Sequence, residues 1–182
     1  MYSCCGDTVG MTDSASSGGQ AGLSAEQEAA WFAYMRVALR LDFELNRQLQ
    51  QHSDLSLADY DVLNALADSP GGRLQVTALG VRIGWERSRV SHRLSRMQAR
   101  ELVQRERSAA DGRATDAVLT TAGRMALDAA TPGHVELVKR LFFDGLSPDL
   151  LDGLTRALHA VHEQVLTEGT LPRPEPRQTR WV

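Results

Sequence analysis

The fold is indicated most clearly by residues 76–97, VTALGVRIGWERSRVSHRLSRM. Apolar residues recur at helical spacing on both sides of Gly84, so this segment predicts two helices joined by a tight turn. The first spans about Thr77–Ile83 and the second about Glu86–Glu101. Gly80 lets the second helix approach closely, because it has no side chain. The positions expected to form a shared core are Leu79, Ile83, Trp85, Val90, Leu94 and Met97.

The second of these helices has three distinct sides. At 100° per residue, its apolar residues fall within about 60° of one another and face the core. A quarter turn away lie Arg89, Arg93, Arg96 and Arg100, and the side farthest from the core carries Ser88, Ser91, His92 and Ser95. Arginine beside small hydrogen-bonding side chains suits insertion into a DNA major groove. The alternative is a solvated amphipathic helix.

Two extended runs follow, LVQRERS at 102–108 and TDAVLT at 115–120, around a loop that contains Asp-Gly. This pattern predicts a β-hairpin. Its tip carries Arg113, where an arginine reaches a minor groove. Asp111 either holds the guanidinium of Arg113 or supplies turn chemistry. The predicted DNA contacts on helix and hairpin are Arg87, Ser88, Arg89, Ser91, His92, Arg93, Arg96, Arg105, Arg107, Asp111 and Arg113.

Charge is distributed unevenly along the chain. The 182 residues have a net charge of −3, which excludes a polycation that binds by bulk charge. Residues 73–113 nevertheless contain ten arginines and four acidic residues, a net +6, and the remainder carries −9. Arginine-rich coding would explain the scarcity of lysine but not this clustering. A basic segment in an acidic molecule indicates one face that meets an anion.

The rest of the chain is predicted to be helical between two tails. Residues 1–22 are expected to be disordered and 168–182 extended, which leaves 23–167 as one domain. Ser24 with Gln27, Ser56 with Asp59, and Ser147-Pro148 are predicted helix starts. Thr131-Pro132 is expected to interrupt the helix that follows the hairpin, either as a kink or as the first turn of a new helix. The fold class is therefore mainly α with a small β-hairpin.

Several classes of protein are excluded or disfavoured. There is no membrane-length apolar run and no secretory signal, so we expect a cytoplasmic protein without a membrane partner. No catalytic or metal-binding constellation can be assembled, although His159, His162 and Glu163 have a one-turn ligand spacing. We therefore expect no enzyme activity, no metal and no cofactor. Cys4 and Cys5 cannot form a disulfide framework, and a redox role for them is an alternative.

The segment DGRATDAVLTTAG resembles the wing of the MarR family of winged helix-turn-helix regulators. The matching positions are Asp111, Arg113, Leu119, Thr120 and Gly123. The resemblance covers about residues 31–165. The chain departs from the family at Glu86, where Ser or Asp often caps the recognition helix, and at Gly80, which is often Ala and should loosen the preceding helix.

The resemblance implies a homodimer that binds a pseudo-palindromic operator on double-stranded DNA, acts as a repressor and is released by a small aromatic or phenolic effector. Residues 55–121 would form the DNA-binding lobe, and 24–52 and 122–167 the dimerisation helices. The implied effector pocket comprises Trp31, Phe32, Arg36, Arg40 and Tyr60, and the alternative for these residues is core and interface packing. An alternative function is a winged-helix module that binds protein.

Overall fold

The computed structural model describes residues 22–108 and 111–175. The expectations for the N-terminal tail, for both cysteines and for the end of the C-terminal tail lie outside this part of the chain. The helices and strands are α1 Ala25–His52, α2 Leu57–Ala67, β1 Arg73–Gln75, α3 Val76–Ile83, α4 Arg87–Ala99, β2 Val103–Arg107, β3 Thr115–Leu119, α5 Thr121–Val138 and α6 Pro148–Glu168. The mainly α fold with a β-hairpin is confirmed.

The chain forms two units, one that ends at Val37 and one that begins at Ala38. In the first unit, α1 begins at the predicted capping box. The Ser24 N–H donates to Gln27 Oε1 at 2.9 Å, and the Gln27 N–H donates to Ser24 Oγ at 3.3 Å. Most of the large apolar side chains in the first half of α1 are exposed to solvent.

The core of the second unit lies between α2, α3, α4 and the sheet. Leu63 and Leu66 of α2 are fully buried. The expected core of the helix-turn-helix is also confirmed: Ile83 packs against it half-buried, and the buried members are Leu79, Trp85, Val90, Leu94 and Met97. Burial of these side chains is the main force that holds α4 on α3 and α2.

The turn between α3 and α4 depends on two glycines. Gly84 ends α3 with a φ of 70°, in the left-handed region that glycine adopts without strain. The Trp85 N–H donates to the Gly80 carbonyl at 2.8 Å. A Cβ built on Gly80 would lie 2.8 Å from the Trp85 carbonyl oxygen, so the close approach expected at Gly80 is confirmed. Alanine at this position would bring its methyl group against the Trp85 carbonyl, which glycine avoids.

The sheet has three antiparallel strands in the order β1-β3-β2. Strands β2 and β3 form the predicted hairpin, with Val103 opposite Leu119 and Arg105 opposite Ala117. Strand β1 was not anticipated, and it pairs with β3 from Arg73 to Gln75. Three residues are too few to show an alternating pattern in the sequence. The segment is extended because it forms hydrogen bonds with β3.

The helix after the hairpin continues through Pro132, so the prediction that a new helix starts at this residue is wrong. Proline lacks the N–H that would bond to the Asp128 carbonyl, and the helix continues without this one donor. The Thr131 hydroxyl donates to the Leu127 carbonyl at 2.8 Å. The helix changes only later, at residues 139–143, where the Asp144 N–H donates to the Lys139 carbonyl at 3.0 Å and forms a π-helical turn.

The last helix begins and ends close to its predicted limits. Pro148 is its first residue, and the Ser147 hydroxyl accepts from the Leu150 N–H at 3.4 Å. Its apolar positions repeat every three or four residues, and most of them are exposed. They are Leu151, Leu154, Leu158, Val161 and Val165, which we call the α6 stripe.

Candidate nucleic-acid interface

The helix α4 turns a polar side away from the core. Val90, Leu94 and Met97 are buried beneath it. The helix starts at Arg87, and its preceding residue Glu86 makes no side-chain hydrogen bond to the exposed N–H groups, as expected for a poor cap. Most predicted contacts on this helix are exposed, namely Arg87, Ser88, Arg89, His92 and Arg96.

The exposed guanidinium of Arg89 lies over the ring of Trp85. The distance from its Cζ to the ring centroid is 4.0 Å, which is a cation–π contact. Trp85 is itself 9% exposed and anchored in the core. The aromatic ring therefore restricts the arginine side chain while its charge remains at the surface.

Arg93 and Arg100 are directed to a different partner, the buried carboxylate of Asp59. The Nη1 atom of Arg93 lies 3.3 Å from Asp59 Oδ1, and Nη1 of Arg100 lies 3.0 Å from Asp59 Oδ2. The same carboxylate accepts the Ser56 N–H at 3.1 Å and so completes the capping box of α2. Arg93, a predicted DNA contact, is thus engaged within the protein.

Arg105 of β2 also faces the protein. Residues alternate along a strand, so Arg105 lies on the same face as the buried Val103 and points toward α4. Its Nη2 donates to Ser91 Oγ at 2.8 Å, and its Nη1 donates to Ser95 Oγ at 3.3 Å. The predicted contacts Arg105 and Ser91 are therefore bonded to each other, and they connect the hairpin to α4.

The hairpin of β2 and β3 is called the wing, and its tip is shaped by turn hydrogen bonds. Asp111 Oδ1 accepts the Arg113 backbone N–H at 3.0 Å, and the Asp111 carbonyl accepts the Ala114 N–H at 2.8 Å. The Nε of Arg107 donates to the carbonyl of Gly112 across the turn. Asp111 thus has the turn role weighed above and no ion pair with Arg113, whose side chain is exposed.

A polar cleft of about 290 Å³ opens between the wing, the start of α3 and the first turns of α4. Three guanidinium groups line it, those of Arg87, Arg105 and Arg113, together with Ser91 and one carboxylate. The structure therefore brings together basic residues that are up to 26 positions apart in the sequence. Their positive charge and their hydroxyl neighbours suit a phosphate-bearing partner.

A carboxylate near Arg89 was missed by the sequence reasoning. Burial, and secondly the nearby Asp42 of α1, raise the pKa of Asp61 to about 6, and Arg89 opposes the rise. Asp59 was noted only as a capping residue. Neither the raised pKa of Asp61 nor the contact of Asp59 with two arginines has a sequence motif. Each depends on which helices pack against α2.

The residues of the implied effector pocket lie in both units. In the first unit, Trp31 and Phe32 are exposed, and the Trp31 ring lies 5.5 Å from that of Tyr34. In the second, Arg40 is exposed, whereas Tyr60 belongs to the buried core and is 2% exposed.

The core position of Tyr60 follows from its neighbours. The Tyr60 hydroxyl lies 3.3 Å from Thr131 Oγ1, and its ring stacks at 4.3 Å on His134, whose pKa is lowered by burial. The Arg36 Nε donates at 3.3 Å to the carbonyl of Phe32 in its own helix. Core packing therefore accounts for Tyr60, and the other four side chains remain open to solvent.

Residues 22–108 and 111–175 contain neither a metal-binding cluster nor a helix that could cross a membrane. No group of three or more His, Cys, Asp or Glu side chains in this part of the chain is arranged to hold a metal ion. Glu163 is instead paired with Arg173, at 2.8 Å. None of the helices described has both the length and the apolar character needed to cross a membrane.

Comparisons with known proteins agree with this architecture. Residues 53–114 match a family model described as the MarR family. The transcriptional regulator HosA of Escherichia coli is 35% identical over 97 residues, which are 49% of this chain and 70% of HosA.

Two solved structures from Streptomyces coelicolor are similar over most of the chain. Sco3205, a MarR family transcriptional regulator in complex with DNA, is 34% identical with a TM-score of 0.77, covering 84% of this chain and 99% of that one. AbsC, also a MarR family transcriptional regulator, is 33% identical with a TM-score of 0.75, covering 81% and 99%.

Proposed function

The chain belongs to the MarR family of transcriptional regulators, and we propose that it binds a pseudo-palindromic operator as a homodimer and represses transcription. The family and its relatives are regulators, not enzymes. The observation that carries the proposal is the basic cleft between α4 and the wing, which is lined by the exposed Arg87 and Arg113 and by the half-buried Ser91.

We assign the DNA contacts to side chains that remain available at this surface. They are Arg87, Ser88, Arg89, Ser91, His92 and Arg96 on α4, with Arg113 on the wing. Arg93 is left out because Asp59 holds it, and Arg105 and Arg107 because they bond to α4 and to the wing turn. Two copies related by two-fold symmetry would place two such surfaces about one helical turn of DNA apart.

A duplex containing the region upstream of the gene tests the proposal. We expect tight binding of this duplex at about 0.15 M salt and weak binding of a scrambled duplex, with a steep loss of affinity as salt rises because phosphate contacts release counterions. Equal affinity for both duplexes at every salt concentration would contradict an operator-binding function. Transcription from the same region, measured with and without the protein, distinguishes repression from activation.

The homodimer is proposed because the α6 stripe is apolar and open to solvent. Val161 and Val165 are 61% and 60% exposed, and a contiguous apolar surface of this kind marks an interaction site. Val161→Asp should convert the dimer to a monomer in sedimentation experiments. Arg156→Asp, on the opposite side of α6, is the matched control. An unchanged mass for Val161→Asp would place the dimer interface elsewhere.

The proposed effector is a small aromatic acid. What supports this class is the pair of exposed aromatic rings at Trp31 and Phe32, one helical turn from the guanidinium of Arg36. We expect benzoate or a hydroxybenzoate to raise the melting temperature and to weaken operator binding. Arg36→Gln should reduce both effects, and Arg47→Gln, farther along α1, should not. No response from either ligand would exclude this effector class.

A further inference from the structure

The hydroxyl group of Ser91 is hydrogen-bonded to an arginine of the wing. Its oxygen accepts from Arg105 Nη2 at 2.8 Å, in the cleft that we propose to meet DNA. The neighbouring Ser95 hydroxyl accepts from the other terminal nitrogen of the same guanidinium at 3.3 Å. One arginine of β2 therefore bonds to two serines on successive turns of α4.

The two serines differ in what remains of their hydrogen-bonding capacity. A hydroxyl group has one hydrogen to donate. Ser95 gives its hydrogen to the Ser91 carbonyl at 3.0 Å, as serines in helices often do. Ser91 makes no such bond to an acceptor in the described part of the chain, so its hydrogen is available on the cleft side. Arg105 takes one of the two lone pairs of the Ser91 oxygen, and its positive charge disfavours the approach of a second donor group to the other, so Ser91 is set to donate.

We propose that Arg105 is a positioning residue that makes Ser91 a dedicated hydrogen-bond donor to an acceptor atom on the operator. The acceptor is either a base atom of the major groove, such as guanine O6 or N7 or thymine O4, or a phosphate oxygen. The inference rests on the proposed operator-binding function. It adds to that function a specific hydrogen-bond donor, the Ser91 hydroxyl group.

The surroundings of Arg105 support a positioning role. Its side chain is half-buried and its Nε is fully enclosed, unlike the exposed Arg87 and Arg113 beside it. A planar guanidinium bonds to two hydroxyl groups at fixed positions, whereas the single ammonium of lysine does not hold both in the same geometry. Through these two hydrogen bonds, Arg105 fixes the position of the wing relative to α4.

The consequence for DNA recognition is selectivity against donor groups. A free serine hydroxyl rotates and serves as donor or acceptor, so it tolerates most base edges. A serine that only donates is poorly matched to the amino groups of cytosine or adenine. If Ser91 faces a base, the operator position opposite it should show a preference that depends on Arg105.

The test starts from an operator selected by the wild-type full-length protein from random duplexes. Binding of Ser91→Ala, Arg105→Lys and the double variant is then measured on this operator and on all its single-position changes. We expect each single variant to lose about three- to tenfold in operator affinity, the size of one hydrogen bond. The double variant should lose no more than Ser91→Ala alone, because both changes remove the same contact.

Two comparisons separate positioning from direct contact. Arg105→Lys retains the charge, so if Arg105 touched phosphate itself, this variant would bind every duplex nearly as the wild type does, which would overturn the inference. Ser88→Ala is the matched control, since this exposed serine has no arginine partner among the residues that the structure describes. Its effect should add to that of Arg105→Lys. The melting temperature of each variant shows whether it is folded.

Modified duplexes identify the acceptor. A base acceptor predicts that 7-deazaguanine, or a changed base at one position, weakens wild-type binding but leaves Ser91→Ala unaffected. A phosphate acceptor predicts the same pattern for a single methylphosphonate. If neither modification distinguishes the wild type from Ser91→Ala, the dedicated donor is excluded while operator binding stands. If the wild type itself binds selected and random duplexes equally, operator binding and this inference both fall.

Discussion

Arg100, at the end of α4, places its Nη1 3.0 Å from Oδ2 of Asp59, in the first turn of α2. Through this contact and that of Arg93, a carboxylate that is only 4% exposed holds α4 at two points about two helical turns apart. Asn46 of α1 accepts the Leu57 N–H at 2.9 Å, just before the same turn. The first turn of α2 therefore connects α1 to α4 within the second unit.

Asp59→Asn should destabilise the fold strongly. The change leaves two arginines beside a neutral amide and weakens the capping box. Loss of one partner from a buried ion pair costs about 3–5 kcal/mol, and the partial exposure of both arginines reduces this to about 2–3 kcal/mol. Urea unfolding measures the effect.

Asp54→Asn is the matched control for Asp59→Asn, because Asp54 also contacts Arg100, at 3.6 Å, but its side chain is fully exposed. We expect it to leave the urea midpoint unchanged. Equal shifts for the two variants would show that burial of the Asp59 carboxylate contributes nothing to the stability of this fold.

Gly123→Ala should disrupt the junction between the wing and α5. A Cβ at this position would lie 2.0 Å from the Leu102 carbonyl oxygen and 2.9 Å from the Leu119 side chain, so backbone must move. Overpacking of this kind costs about 1–3 kcal/mol, and more where backbone is displaced. Thermal unfolding should show a clear loss of stability.

The same substitution inside α6 provides the comparison for Gly123→Ala. A Cβ on Gly153 meets nothing within 4 Å, so Gly153→Ala should be neutral or stabilise by up to about 1 kcal/mol through helix propensity. If both alanine variants melted at the wild-type temperature, the close approach at Gly123 would be refuted.

Arg113→Ala should weaken operator binding without changing stability. The side chain is exposed at the tip of the wing, and the turn uses only the backbone N–H of this residue, which alanine retains. We expect a loss of about 1–3 kcal/mol in binding free energy, measured by fluorescence anisotropy with a labelled duplex. Arg156→Ala, an equal change of charge on α6, should bind as the wild type does. An unfolded Arg113→Ala protein would show that the tip has a structural role.

The stability of the protein should depend on the ionisation of Asp61. Its pKa is raised from 3.8 to about 6, so the folded protein holds a proton that the unfolded chain has lost. Stability contributed by this group therefore falls as the pH rises from about 4 to 6, and the full cost is present above pH 6. Asp61→Asn should raise the unfolding free energy at pH 7.5 by about 1–3 kcal/mol and add little at pH 4.

His134 has the opposite pH dependence and serves as an internal reference. Burial lowers its pKa, so its contribution is present above the ordinary histidine pKa and is lost as the pH falls below that value. This slope should persist in Asp61→Asn. If Asp61→Asn is less stable than the wild type at pH 7.5, the carboxylate is stabilised at its site and its pKa is not raised.

The sequence by itself was sufficient for elements that depend on local chemistry. The helix-turn-helix core followed from apolar spacing, the starts of α1, α2 and α6 from their capping residues, and the hairpin from a loop that contains Asp-Gly. Each of these depends on neighbours within a few positions along the chain. The resemblance to the family rested on the wing for the same reason, because its motif is contiguous.

The tertiary structure decided which polar groups are free. Helical spacing places Arg89, Arg93, Arg96 and Arg100 on one flank of α4, yet two of them meet Asp59 and one lies over Trp85. Strand β1 and the bond from Arg105 to Ser91 likewise depend on residues that are distant in the chain. The helical periodicity of the sequence determines the direction in which each side chain of α4 points. The packing of α2 and β2 against α4 determines which partner that side chain contacts.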